Sequence, residues 1–253
     1  MVGKEMFYCC GITDTGCVRD HNEDAFLINK IVMSKAQLES ELHTPFIVGV
    51  ADGVAGENSG EVASRLALEL VSGIKVSPKT DYAEKILDIH RYIKRYGIVK
   101  NHINMQTTLC ALAVDGSGNA KIINVGDSKL LRYRNGIIKQ LSTDQSLVQL
   151  LYEQGHITAE GKRTHIHRNV IFPVLGNVEE DPKVEVTEIE DGIKAGDLIL
   201  ICSDGLADYI TKGDMENTLA LPRKLPKRLA ALVELAKQGG SKDNITVVGI
   251  SMM

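Results

Sequence analysis

Three aspartates stand where apolar, strand-like runs meet a turn, a placement suited to holding metal ions. Phe46-Ile47-Val48-Gly49-Val50-Ala51 is apolar and rich in β-branched residues, and it runs straight into Asp52-Gly53. Leu198 to Ser203 repeats the pattern and ends in Asp204-Gly205. Asp243-Asn244 directly precedes a third apolar run, Ile245 to Ile250. A carboxylate at the end of a buried strand is costly unless a cation meets it. Two such charges about 4 Å apart repel by roughly 4 kcal/mol at an effective dielectric of 20. If the three converge, either some are protonated or cations lie among them. The donors are all oxygen, since Cys202 belongs to the apolar run before Asp204 as a small hydrophobe, which selects hard ions such as Mg²⁺ or Mn²⁺ over Zn²⁺. Two such ions sharing a water lower its pKa and stabilise in-line attack on phosphorus. Arg19, between the first strand-like runs, is the natural holder of phosphate oxygens. Each Asp-Gly taken alone also reads as a common turn pair.

Strands and helices must position these residues. Phe7 to Thr13 predicts a first strand, and Ala25 to Ile31 a second that pairs back on it. Residues 32–45 read as a loose connection. After Asp52-Gly53, a helix opens over Gly56 to Gly60, with Ala63, Leu66, Ala67, Leu70, Val71 and Ile74 at helical spacing. A second helix is expected from Tyr82 to Arg95. Thr107 to Val114, Ala120 to Val125, Lys129 to Arg134 and the return through Ile137-Ile138 predict a β-meander, closed by the hairpin signal Asn135-Gly136. Asp127 interrupts it. Ser142-Thr143-Asp144 is expected to cap a helix carrying Leu147, Leu150 and Leu151. The pattern fades from Gly155 to Gly176, where His156, His165 and His167 fit a polar flap better than a metal site. Val184 to Ile189 reads as a strand, and Leu225 to Ala236 as an amphipathic helix. With no repeat and no low-complexity linker, residues 1–253 read as one domain with a flap at about 142–180.

The bulk numbers exclude several classes. At 253 residues, 43% hydrophobic and 25% charged, the chain has an ordinary globular composition. A net charge of −4 and the lack of a dense basic stripe argue against nucleic-acid binding. His90-Arg91-Tyr92-Ile93-Lys94-Arg95 reads as a solvated helix face. No apolar run approaches the ~18 residues of a membrane span, and Met1 to Met6 carries no signal-peptide pattern. The five cysteines are odd in number and form no CxxC pair; Cys110 and Cys202 lie in apolar runs as small hydrophobes. These features lead to the expectation of a cytoplasmic protein. With no long exposed apolar stripe, it is expected to be a monomer.

Five ordered motifs carry a resemblance: Arg19-Asp20-His21-Asn22-Glu23-Asp24, Ala51-Asp52-Gly53-Val54-Ala55-Gly56, Gly126-Asp127-Ser128, Ser203-Asp204-Gly205-Leu206 and Asp243-Asn244-Ile245-Thr246. Their order and approximate spacing resemble the metal-dependent Ser/Thr protein phosphatases of the protein phosphatase 2C type, in a compact bacterial-like form. Thr107-Thr108, Leu141 to Ser146 and Arg168 to Gly176 also look like family elements. The resemblance covers almost the whole chain. It implies an α+β fold, an αββα sandwich of two antiparallel sheets flanked by helices. It also implies a dinuclear Mn²⁺ or Mg²⁺ centre. Asp52 would bridge both ions, with the Gly53 carbonyl, Asp204 and Asp243 completing the direct ligands. Asp127 would share a weaker third ion with Asp204. Glu23, Asp24 and Asn244 would act on the ions through water, and Arg19 would bind substrate phosphate. Water activated at the centre would attack phosphoserine or phosphothreonine directly, with no phosphoenzyme. Phosphorylated proteins would be the substrates, and a Ser/Thr kinase the opposing activity.

The chain departs from the family pattern at four places. Val54-Ala55-Gly56-Glu57 stands where relatives often place a histidine after the Asp-Gly, so a histidine general acid is missing. Met105-Gln106 replaces the usual glycine before Thr107-Thr108. Phe172-Pro173 replaces the usual Thr-Arg in the flap, and Lys129 follows Gly126-Asp127-Ser128 where arginine is common. The missing histidine motivates an alternative: a catalytically weak or inactive member that binds a regulatory partner. A hydrolase acting on small phosphorylated molecules is a further alternative.

Overall fold

A computed structural model describes residues 5–54, 59–102 and 104–253. The expected helix opening at Gly56 to Asn58 lies outside the described residues, as does Glu57. Two six-stranded antiparallel sheets pack face to face. The first contains β1 (Met6–Asp14), β4 (Ala36–His43), β8 (Lys129–Arg134), β9 (Ile137–Gln140), β11 (Leu198–Cys202) and β12 (Ile245–Met252). Its spatial order is β4-β1-β12-β11-β8-β9. The second contains β2 (Ala25–Ile28), β3 (Ile31–Met33), β5 (Phe46–Ala51), β6 (Leu109–Val114), β7 (Ala120–Val125) and β10 (Glu185–Glu188), in the order β10-β7-β6-β5-β2-β3.

Strands buried on both faces need a cover on each side, and helices supply it. Helices α1 (Ser59–Ser72) and α2 (Tyr82–Lys100) turn Ala63, Ala67, Leu68, Ile86 and Ile93 onto the second sheet. The short α3 (Leu147–Glu153) and α4 (Ala159–Thr164) follow β9 in the chain. Beyond β11 come α5 (Asp204–Ala207), α6 (Lys212–Ala220) and α7 (Leu225–Gln238); α7 packs Leu229, Leu232 and Ala236 on the first sheet. Between the sheets lie Phe7, Phe26, Phe46, Val48, Ile199 and Val248, with the Phe7 and Phe46 rings edge to face at 5.0 Å. The result is the αββα sandwich that the resemblance implied.

Several local expectations are corrected. Residues 25–28 do not pair with β1: β2 pairs with β3 and β5 across the sandwich, because the long loop 15–24 crosses between sheets instead of closing a hairpin. Residues 32–45 are not a loose connection but mostly strand. β4 is an edge strand in which Leu38, Ser40 and Leu42 turn inward against exposed Gln37, Glu39 and Glu41, a period-two alternation with only two large apolar members. The expected meander is divided, since Gly126–Ser128 carries the chain from β7 in one sheet to β8 in the other. Ser146, not Ser142, caps α3, accepting from the Gln149 amide at 3.3 Å. Ser142 Oγ instead accepts from the Leu130 amide at 2.9 Å. Helix α2 continues past Arg95 to Lys100, where Asn101 closes it in a left-handed conformation. His90 is not on a solvated face; it is fully buried.

Candidate metal centre

The antiparallel pairing of β11 and β12 sets Cys202 opposite Val247. Asp204, past the end of β11, and Asp243, before the start of β12, therefore emerge at the same end of the first sheet. Ala25 pairs with Ala51, so Glu23 and Asp24 precede β2 where Asp52 and Gly53 follow β5. Gly126-Asp127-Ser128 crosses between the sheets. A cleft of about 280 Å³ is lined by Arg19, Glu23, Asp52, Gly53, Asp127, Asp204 and Asp243. Thr108, Val54, Asn169 and Ile171 complete its wall, the last two from the expected flap. Asp127 also borders a neighbouring hollow of about 290 Å³ reached by α3, α4 and α6.

The backbone of Asp52 is clamped by the two threonines just before β6. Its amide donates to Thr108 Oγ1 at 3.0 Å, and its carbonyl accepts from the Thr108 amide at 2.8 Å and Thr107 Oγ1 at 2.9 Å. Gly53 has no room for a side chain, since a Cβ there would stand 2.4 Å from the carbonyl of Gly60 in α1. The absence of a Cβ lets the 53 carbonyl lie at the cleft wall.

Like charge outweighs countercharge at the cleft: Arg19 pairs with Asp243, and Lys129 only partly offsets Asp127 and Asp204. Burial first, and then Asp24, Asp204, Asp127 and Asp243, push the Asp52 carboxyl well above its usual range. Asp127 is likewise raised by burial and by Asp204. Burial and the charges of Asp208 and Asp243 push Asp204 up to about 6, despite hydrogen-bond contact with Asp52. Asp24, almost fully buried beneath the cleft, is pushed up to about 7 by burial. The hydroxyls of Ser203 and Thr246 oppose that shift, Ser203 Oγ donating to Asp24 Oδ2 at 2.8 Å. Among the described residues, no cation pairs with Asp52, Asp127 or Asp204; Lys129 pairs with Asp208 at 2.7 Å.

This donor set fits hard divalent ions. Among the described residues no three His, Cys, Asp or Glu side chains form a ready cage for one ion. The oxygens ring the cleft instead. Such an arrangement suits Mg²⁺-like ions, which keep several waters and take one or two carboxylates each.

Two sequence-predicted residues are engaged differently. Arg19 is half exposed at the rim and donates to Asp243 Oδ2 at 2.9 Å. Asn244 does not line the cleft. Its side chain holds the loop before β2, accepting from the Glu23 amide at 2.8 Å and donating to the carbonyls of Thr15 and His21. Sequence reasoning assigned no role to Ser203, Ser128 or Ser64, which brace the site. Ser128 Oγ meets Thr108 Oγ1 at 2.9 Å, and Ser64 Oγ donates to the Glu23 carbonyl at 2.6 Å. For Ser203 and Ser128 the available signal was a hydroxyl directly beside Asp204 and Asp127; Ser64, within α1, carried no such signal.

Fold and cleft together define a metal-dependent phosphatase class, and comparison with known proteins agrees. The family model described as Protein phosphatase 2C matches residues 20–246. The chain belongs to that family. A Serine/threonine phosphatase stp of Listeria monocytogenes is 31% identical over 245 residues, covering 93% of this chain and 92% of that one. The catalytic domain of the serine threonine protein phosphatase PstP, solved in complex with two manganese ions, superposes with a TM-score of 0.79 at 27% identity, covering 98% and 99% of the two chains. The phosphatase MsPP of Mycobacterium smegmatis, solved with cacodylate, gives 0.78 at 30% identity over 97% and 98%.

Proposed function

We propose that Asp52 bridges two Mn²⁺ or Mg²⁺ ions, with the Gly53 carbonyl, Asp204 and Asp243 as further ligands, and that the chain hydrolyses phosphoserine and phosphothreonine on proteins. The observation that carries this reading is the ring of partly buried, mutually repelling carboxylates at one end of a protein phosphatase 2C sandwich. The ions, when bound, supply the missing positive charge, lower the pKa of a shared water and stabilise charge on phosphorus.

The chain's own residues do the rest. Thr107 and Thr108 fix the Asp52 peptide, so its carboxylate needs little reorganisation. Asp24 and Glu23 orient water at the cleft floor and wall. Asp127 and Asp204 suit a weaker third ion. Arg19 holds phosphate oxygens at the rim once it leaves Asp243, and that exchange links substrate binding to ligand geometry. No histidine occupies Val54, so water within the cleft must protonate the leaving alkoxide. We further infer one phosphatase domain over residues 1–253 with residues 142–180 as its flap. The same reading gives a cytoplasmic monomer that opposes a Ser/Thr kinase; no described helix is long and apolar enough to cross a membrane.

The test is hydrolysis of a phosphothreonine peptide with EDTA, then with Mn²⁺ or Mg²⁺ added, using Asp204→Ala as control. Metal-dependent turnover lost in the variant is expected. Metal binding without turnover would favour the partner-binding alternative that the missing histidine motivates.

A further inference from the structure

We propose that His90, on α2 and outside the cleft, is a positioning residue for the Asp52-Gly53 turn, acting through its hydrogen bond from the Gly176 amide. The inference rests on the metal-centre reading above.

His90 is fully buried, with two hydrogen bonds. The Gly176 amide donates to Nδ1 at 3.1 Å. A backbone N–H can only donate, so Nδ1 carries no proton and the ring is the Nε2–H tautomer. Nε2 then donates to Asp181 Oδ1 at 3.1 Å. Burial and the nearby Lys94 lower the imidazole pKa, against the pull of Asp181, and keep the ring neutral. A buried imidazole in one tautomer is a rigid acceptor.

What it holds leads to the metal centre. Gly176 is wedged at φ +88°, where a Cβ would stand 2.2 Å from the Met105 carbonyl. Its neighbour Leu175 exchanges two backbone hydrogen bonds with Thr107, at 3.0 and 3.1 Å. Thr107 bridges Gly53 on its other side, and its hydroxyl donates to the Asp52 carbonyl at 2.9 Å. Residues 105–108 are thus a short ribbon between the 175–177 backbone and the Asp52-Gly53 turn. His90 fastens the 175–177 backbone, which borders the outer edge of that ribbon, to a long helix, and the inner edge holds the backbone of the proposed bridging ligand. This anchor is one the chain supplies from α2.

The two ring nitrogens can be separated by substitution. Asn places an amide oxygen where Nδ1 stands, keeping the Gly176 acceptor and losing the Asp181 donor. Gln places an amide nitrogen near Nε2, keeping the donor and losing the acceptor. We would measure Mn²⁺ affinity by calorimetry and kcat on a phosphothreonine peptide for the wild type, His90→Asn, His90→Gln and His90→Leu, with thermal unfolding of each metal-free protein. The expected result is His90→Asn within about twofold of wild type, and His90→Gln and His90→Leu weakened about tenfold in Mn²⁺ affinity or kcat. Equal losses in His90→Asn and His90→Gln, or unchanged affinity and kcat with only the unfolding temperature moved, would overturn it. If the wild type itself neither bound Mn²⁺ nor turned over, the metal-centre reading would fail first.

Discussion

Strand β11 carries an aspartate at each end, and the two ends are built in opposite ways. Asp197, at its start, is enclosed with its side chain 1% exposed. Arg134 grips it with two hydrogen bonds, at 2.5 and 2.6 Å, and the Lys194 amide adds a third at 2.8 Å. Nearby Asp191 takes bonds from Arg132 and Arg134, which hold its carboxyl down to about 2. Burial works against the Asp197 carboxylate, yet these bonds leave it below its ordinary value. Asp204, past the other end, meets Asp52, Asp208 and Asp243 and is pushed up to about 6. One end satisfies its charge internally and serves stability. The other crowds like charge that Lys129 only partly offsets, which is what the proposed metal centre would use. A raised carboxylate pKa in a cleft marks function when a lowered one elsewhere on the same strand marks structure.

The largest expected effect tests the functional end. Asp52→Asn is expected to lower kcat/KM on a phosphothreonine peptide by about a thousandfold, or roughly 4 kcal/mol of transition-state stabilisation. Asp191→Asn should change it less than about twofold. Comparable losses in both would break the contrast.

Arg134→Met strands the buried Asp197 charge and should cost roughly 3 kcal/mol in urea unfolding, with kcat intact. Asp204→Asn should instead stabilise the metal-free protein by about 1 kcal/mol, because it removes like charge.

The pH response follows from the signs. Asp24 and Asp204 titrate near 7 and 6 in the folded, metal-free chain, against about 3.9 when unfolded. Their favourable contribution is full below about pH 4 and is lost as pH rises through 6 to 7. Metal-free protein should therefore unfold at lower temperature at pH 8 than at pH 5, and saturating Mn²⁺ should abolish the difference. The Asp191 pair has the opposite sign: its contribution is present above about pH 4 and is lost as pH falls through about 2. A metal-free melting temperature that rises steadily from pH 5 to pH 8 would contradict this account.

The smallest effect concerns the clamp. Thr108→Val removes the hydroxyl that serves both the Asp52 amide and Ser128, and should cost about 1 kcal/mol of stability with a few-fold loss of kcat.

Much of this was legible along the chain. The apolar runs ending in Asp52 and Asp204, and the one beginning after Asp243, announced buried strands with carboxylates at their ends. Burial periodicity is local and is written in residue type. β4 was missed because an edge strand buries little and carries Glu39 and Glu41 outward. The sheet change at Asp127 was missed because a turn looks the same whether its strands pair or part. His90 was read with its basic neighbours, yet it points inward.

The sequence by itself determined the donor chemistry: oxygen ligands, their strand-end positions and the absence of a histidine after Asp52-Gly53. Only the tertiary structure decided which charges are matched. It gave Arg134 to Asp197, set Arg19 against Asp243, spent Asn244 on the loop before β2 and crowded Asp52, Asp127 and Asp204 together with Lys129 as a partial offset. Strand pairing across long separations depends on register and packing between distant segments, which no local pattern encodes. Whether a carboxylate stabilises the fold or awaits an ion depends on that pairing.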